Sequence, residues 1–469
     1  MNAVCPRLVI AGTGSGVGKT SLALGLARLL ARQGMRVQTF KVGPDFLDPT
    51  YLAAASGRTC YNLDGWMTSE EYVRRLFARA TADADIALVE GVMGMFDGAS
   101  PSGLEGSTAE VACWLDAPVL LVVNAYGAAR SLAATVKGFA EFEPRVRVAG
   151  VIANHGGSGR HRDGLSESLA AASTAPLAGM LPRGSLPALP SRHLGLVAAD
   201  QAGLPSAVFD RLADACTQYL NVPLLLDLAR SEPQNRRHAS CAIAHSRHAE
   251  YARNGKAGIR LGIARDEAFH FYYADNLEAL REHGADWVPF SPLRDARLPD
   301  DLDGLYFGGG YPEIHAARLA GNASMLADVR DFAASGRAIY AECGGLMYLG
   351  RGLTALDGRR YAMAGVLPLE TAMLGKLRVL GYAEVAWAAD SLWGPAGQVA
   401  RGHEFHYSRI TSGERGAEGW LPAYTVSRRR SPPSNEGFSK GRILAGYVHL
   451  HWASRPGATE YFLSRCGER

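Results

Sequence analysis

Two stretches of this chain carry residue types and spacings that could do chemistry. The first is AGTGSGVGKTS, where glycines let the backbone curl so that successive N–H groups can turn toward phosphate oxygens. In that reading Gly12, Thr13, Gly14, Gly16 and Gly18 line a nucleotide, Lys19 reaches its β- and γ-phosphates and Thr20 holds Mg²⁺. The common spacing wants glycine five residues before Gly18, where Thr13 stands, so the glycine sits one place early, at Gly12. A dinucleotide fingerprint from Gly12 fails because Val17 occupies its third glycine position. The second stretch is RAIYAECGGLMYLG, a strand, a sharp turn bearing Cys343, then a helix. A thiol there is expected to be made more acidic by the helix N-terminus. Gly344 and a glycine of FGGGYPE, Gly309 or Gly310, could donate N–H groups to an oxyanion. GYVHLHW supplies His449 and His451 as candidate bases, two residues apart and so expected on one face of a strand. A His-x-His metal site is the competing reading, with no third ligand in sight.

Carboxylates complete the first constellation. KVGPDFLDP puts Asp45 and Asp48 beyond the second strand, and VEGVMGMFDG puts Glu90 and Asp97 beyond the third. Ligands of open α/β sheets bind at the carboxyl ends of strands, and Mg²⁺ takes hard oxygen donors there. The alternative is that these acids cap helices or sit on solvated loops.

The elements that must position these groups alternate in the sense of an α/β fold. RLVIAG, RVQTFKVG, IALVEG, PVLLVVN and RVAGVIAN are short apolar runs, as expected of parallel strands covered on both faces. Amphipathic stretches such as 20–33 lie between them, which predicts a doubly wound, mostly parallel sheet. The rhythm lapses in a polar stretch, then resumes with IRLGIAR, a helix over 274–283, ADWVPF, GLYFGGG and RAIYAEC. The last hundred residues (MAGVLPL, RVLGYAEVAW, GHEFHYSRI, ILAGYVHLHW) read as richer in strand. The division expected is a first domain at 1–226, a linker at 227–257 and a second α/β domain at 258–469.

A chain of 469 residues exceeds what one core usually organises. Lys and Arg total 49 against 46 Asp and Glu, and a net charge of +3 gives no electrostatic case for nucleic acid or an anionic membrane. Apolar runs such as 117–123 are too short to span a bilayer, and the N-terminus lacks a signal-peptide pattern, which points to the cytoplasm. Seven scattered cysteines without a C-x-x-C pair argue against a disulfide framework or a zinc ribbon.

The motifs together resemble a known family. FGGGYPE, AECGGL and the late histidine are similar to class I glutamine amidotransferases of the cobyrinic acid synthase type. GTGSGVGKT is similar to dethiobiotin-synthetase-like P-loop ATPases. In this order, with KVGPDFLDP, NLDGWM, VEGVMGMFDG, RHLGL, DEAFHFYYADNL and RGHEFHYS, they resemble the cobyrinic acid a,c-diamide synthase family. The resemblance implies ATP- and Mg²⁺-dependent amidation of the a and c carboxylates of cobyrinic or hydrogenobyrinic acid. The nitrogen would come from L-glutamine and pass to the acyl-phosphate by a shielded route. It implies Cys343 as nucleophile and His449 as its base, beside the residue-level reading of Gly344 with Gly309 at the oxyanion. Thr20, Asp45 and Glu90 would lie at the metal, while Asp48 and Asp97, read from their positions alone, are candidates for the substrate or acyl-phosphate site. A homodimer is compatible with it. Many related glutaminases carry glutamate two residues after the base, but His451 stands there, which leaves the group orienting His449 open. Two other readings compete: a P-loop ATPase switch of the partitioning or metal-insertase kind, which needs no Cys343, and a corrinoid-binding module with a dead ATPase.

Overall fold

The computed structural model describes residues 5–189, 191–192, 195–196, 206–230, 258–413, 416 and 419–468. The chain divides into two compact units, 1–244 and 245–469.

The first unit strings together β1 (Arg7–Gly12), α1 (Lys19–Arg32), β2 (Val37–Val42), α2 (Asp48–Ser56), β3 (Tyr61–Leu63), α3 (Glu70–Ala80), β4 (Ile86–Glu90), α4 (Thr108–Leu115), β5 (Val119–Asn124), α5 (Arg130–Phe142), β6 (Val148–Gly156), α6 (Gly159–Ala171) and β7 (Leu177–Pro182). Seven strands pair in the order β3-β2-β4-β1-β5-β6-β7, every pairing parallel. β1, β2 and β4 are buried along their whole length, which is why they read as mostly apolar runs, with β2 interrupted by Gln38, Thr39 and Lys41. One core packs α1 and α2 on one face around Leu22, Leu26 and Tyr51, and another packs α3 and α4 on the opposite face around Val73 and Val111. The expected doubly wound sheet is therefore present. It also contains β3 and β7, too short or too broken by Gly and Pro to stand out in the sequence. Because β3 intervenes, the strand before VEGVMGMFDG is the fourth, and Glu90 is its last residue rather than a loop residue.

A two-residue pair, β8 (Ser191–Arg192) with β9 (Gly195–Leu196), and helices α7 (Ser206–Tyr219) and α8 (Val222–Arg230) follow. The segment expected as a linker begins inside α8, where Leu225 and Ala229 are buried in the core, and from residue 231 to 257 it lies outside the described residues.

The second unit opens with β10 (Ile259–Ala264), α9 (Ala274–Glu282), β11 (Ala285–Phe290), β12 (Gly304–Phe307), α10 (Ala316–Gly321), α11 (Ala323–Ala334), β13 (Ala338–Glu342) and α12 (Gly344–Leu349). Next come β14 (Gly352–Thr354), β15 (Arg360–Ala362), β16 (Glu370–Met373), β17 (Val379–Ala386), β18 (Val399–His406), β19 (Ser408–Ser412), β20 (Tyr424–Arg428), β21 (Ser431–Glu436), β22 (Phe438–Lys440), β23 (Ile443–Gly446), β24 (His449–Leu450) and α13 (Ala458–Cys466). The main sheet runs β11-β10-β12-β13-β23-β22, parallel except at β22. β17, β18, β20, β21 and β24 form an antiparallel sheet, and β14, β15, β16 and β19 a mixed one. MAGVLPL, expected to contribute strand, instead wraps the end of α12. Its amides at Ala364, Val366 and Leu367 bond to the carbonyls of Tyr348 and Leu349, which a helix end leaves without intrahelical partners.

Candidate functional site

At the carboxyl ends of β1, β2 and β4 a cavity of about 310 Å³ is lined by Ser15, Gly16, Gly18, Lys19, Thr20, Lys41, Asp45, Asp48 and Glu90, among others. The loop between β1 and α1 turns through Gly16 at φ 75° and Gly18 at φ 99°, left-handed backbone that favours glycine. Asn154, at the end of β6, donates its side-chain N–H to the Val17 carbonyl at 2.9 Å and packs against Gly18, leaving no room for a Cβ. Not every loop amide is free for phosphate, because the Thr13 N–H bonds to the Val122 carbonyl at 3.1 Å. Lys19 folds over the loop and donates to the carbonyls of Gly14 and Met93 at 2.9 and 2.5 Å.

The acids divide their work. Thr20 donates to Glu90 Oε1 at 2.6 Å. Lys41 Nζ lies 2.9 Å from the same oxygen and 2.7 Å from Asp48 Oδ2. Glu90 Oε2 is buried without a hydrogen-bond partner. Burial is the largest cause raising the Glu90 carboxyl to about 7, and it also raises Asp45 to about 6. Asp45 Oδ1 accepts the N–H groups of Leu47 and Asp48 at 2.7 and 2.9 Å, so this acid does cap the start of α2. Asn62 of NLDGWM holds the same loop through the carbonyls of Gly43 and Asp45. Asp97 turns back on its own loop and accepts the Gly94 N–H at 2.8 Å. Lys41 went unremarked in the sequence; its signal was a lone lysine inside the buried strand QTFKV.

Among the described residues no group of three or more His, Cys, Asp or Glu side chains is arranged to hold a metal ion. Mg²⁺ needs no such cage, since it keeps waters and shares phosphate oxygens. Thr20 Oγ1 and the buried, unpartnered Glu90 Oε2 are donors of the right chemistry. No helix among the described residues is long and apolar enough to cross a membrane.

In the second unit Cys343 sits between β13 and α12 at φ 47°, ψ −99°, a strained conformation for a non-glycine residue and one that turns the side chain out of the strand. Gly344 and Gly345 are required by close packing: a Cβ at 344 would press on Pro312 and the Gly310 nitrogen at about 3.0–3.1 Å, and one at 345 would run into the Phe307 carbonyl at about 2.5 Å. The expectation of an acidified thiol is not met, because burial pushes the Cys343 thiol up despite a bond from the Gly344 N–H. Burial likewise drives His449 well below its ordinary value, with His403 and His406 adding to it. Both groups are neutral before reaction, so a base is needed to form the thiolate.

The remaining motifs assemble around this thiol. β18, bearing RGHEFHYS, pairs with β24 so that His403 stands opposite His449, with ring centroids 5.8 Å apart. The Phe405 carbonyl lies 4.0 Å from Cys343 Sγ. From DEAFHFYYADNL, the N–H groups of His270 and Phe271 both bond to the Gly309 carbonyl, and Tyr272 holds the Gly308 N–H. Gly309 lies so close to the His449 ring that a Cβ there would collide with it. Gly310, next along, is the residue whose nitrogen abuts Gly344.

His449 and His451 do not share a pocket. His449 faces Gly309 and Glu342, with Nδ1 3.8 Å from Glu342 Oε2. His451 Nδ1 accepts the Ala453 N–H at 3.3 Å, which leaves the proton on Nε2, 3.2 Å from Asp275 Oδ2. β24 ends at Leu450, and the helical turn that begins after His451 carries that ring away from the strand's side-chain alternation.

Residues 8–197 match the CobQ/CobB/MinD/ParA nucleotide binding domain family, and residues 260–457 match the CobB/CobQ-like glutamine amidotransferase domain family. A cobyrinate a,c-diamide synthase of Syntrophotalea carbinolica is 58% identical over 98% of this chain and 99% of its own length. One from Leptospira interrogans is 43% identical over 99% of both chains, and one from Methanothermobacter thermautotrophicus 40% identical over 96% of this chain and 97% of its own.

Proposed function

The chain belongs to the cobyrinate a,c-diamide synthase family, and from that premise we propose how its residues carry out glutamine-dependent amidation of a corrinoid polycarboxylate. This excludes the ATPase-switch reading, which has no use for a glutaminase half. The observation that carries the assignment of residues is Cys343 on its strained turn, with His449 held beside the FGGGYPE glycines.

A carboxylate does not react with ammonia, so its oxygen first takes the γ-phosphoryl group of ATP, giving an acyl-phosphate and ADP. Phosphoryl transfer depends on positioning and on neutralising oxygens. Lys19 leaves its two carbonyl partners for the phosphates, and the loop amides other than that of Thr13 cradle them. Thr20 and Glu90, with Asp45 nearby, would hold Mg²⁺, which would supply positive charge to neutralise phosphate oxygens. Lys41 bridges Glu90 and Asp48 in a buried setting, and Asp48 faces the substrate. Asp97 acts through the shape of its loop.

In the other half His449 takes the Cys343 proton, and sulfur attacks the side-chain amide carbon of glutamine. The oxyanion is met by Gly344 N–H and by an N–H of the Gly309–Gly310 pair. Collapse expels ammonia and leaves a thioester, which water hydrolyses to glutamate. Ammonia then attacks the acyl-phosphate, phosphate departs and an amide forms; a second round serves the second carboxylate. We place the enzyme in the cytoplasm, and cobyrinic and hydrogenobyrinic acid are both candidate substrates.

Incubation with ATP, Mg²⁺, glutamine and either acid, followed by mass spectrometry, should show two successive exchanges of hydroxyl for amino group. Glutamine hydrolysis without amidation of either acid would refute the substrate assignment.

A further inference from the structure

Glu342 ends β13 immediately before the nucleophile, and its side chain is only 3% exposed. Oε1 accepts the Tyr340 hydroxyl at 2.5 Å and the Leu450 N–H at 3.0 Å. Oε2 accepts the Tyr306 hydroxyl at 2.9 Å and lies 3.8 Å from His449 Nδ1. Leu450 follows His449 in β24, so one carboxylate grips the backbone of the histidine strand with one oxygen and faces the ring with the other. His451 is committed to Asp275 and does not serve this purpose.

We propose that Glu342 is the positioning residue of the glutaminase site. It holds the His449 proton on Nδ1, leaves Nε2 to take the thiol proton, and stabilises the imidazolium that results. The distance is longer than a hydrogen bond, as catalytic contacts often are before substrate tightens them. The inference rests on the glutaminase reading above.

The test is Glu342→Gln, nearly the same size. Oε1 carries two donors, so the amide oxygen takes that place and the NH₂ faces His449. An NH₂ there favours the opposite tautomer, with Nε2 protonated and unable to accept from sulfur. In a Ser-His-Asp triad the equivalent change lowers kcat about 10⁴-fold, and here a loss of at least ~10²-fold is expected, with KM for glutamine little changed. Glu342→Asp should restore part of it. In a His449→Ala background Glu342→Gln should have no further effect on glutamine hydrolysis. An unchanged kcat, a loss confined to KM, or an equal loss without His449 would overturn the proposal. ¹⁵N NMR of wild-type histidines, assigned with a His449→Gln variant, reads the tautomer without relying on the folding of Glu342 variants. A proton on Nε2 would also overturn it. A wild-type chain that hydrolyses no glutamine would instead refute the glutaminase reading.

Discussion

Replacing Lys41 with methionine keeps most of its volume and removes the cation held between Glu90 and Asp48. Lys41 and Glu90 side chains are 4% and 0% exposed, so neither charge can turn to water. Breaking such a buried pair leaves one ion without compensation, which typically costs about 3–5 kcal/mol. Glu90 has an escape, which is to take up a proton. Without Lys41, which lowers it, its folded pKa climbs beyond the present value of about 7, while the unfolded value stays near 4.5. Protonating it at about pH 7.5 spans three pH units above the unfolded value, or ~4 kcal/mol at 1.36 kcal/mol per unit. At about pH 6 the same step is only ~2 kcal/mol. For an acid whose folded pKa is raised, stability is fully present below the unfolded pKa and is lost as pH rises through the folded one. Wild-type Glu90, itself raised to about 7, already carries much of this cost, so relative to wild type Lys41→Met should be destabilised by roughly 1 kcal/mol more near pH 7.5 than near pH 6. Urea unfolding followed by Trp66 and Trp114 of the first unit, at several pH values, measures this. Adding Glu90→Gln should recover much of the loss, because the stranded charge is gone. A penalty independent of pH, or one that Glu90→Gln leaves untouched, would refute the reasoning.

Cys343→Ala should abolish glutamine-dependent synthesis while synthesis from high concentrations of ammonia continues; loss of both in a folded variant would break the proposed division of labour. His449→Ala should slow thioester formation by about 10²–10⁴-fold, as for a lost general base. His451→Ala should instead act on stability by removing the His451 contact of buried Asp275, with far smaller effect on glutaminase turnover in the folded fraction; the reverse ranking would exchange the two assignments. Glu90 must be ionised to hold Mg²⁺, so below about pH 7 MgATP affinity should fall, by at most about tenfold per pH unit, in equilibrium binding titrations. A flat affinity between pH 6 and pH 8 would count against Glu90 as a ligand.

Residue types and local spacing were enough for the βα alternation, the phosphate loop and the cysteine turn, because each is written within a dozen neighbouring residues. Strands covered on both faces favour apolar residues, left-handed turns favour glycine, and a helix follows each of these turns at once. The order β3-β2-β4-β1-β5-β6-β7, which brings Lys41 onto Glu90 across two strands, depends on pairing that local pattern does not record. The thiol's acidity likewise followed from tertiary structure: the helix start argued for a low value, but enclosure by β18 and the FGGGYPE loop raised it. His449 and His451 looked equivalent because strand alternation is a local rule. The chain leaves the strand after Leu450, and contacts with Glu342 and Asp275, more than a hundred residues distant in sequence, separate the two rings. Local sequence sets what each short element can be; which side chains share a buried, low-dielectric space is settled only when distant elements pack.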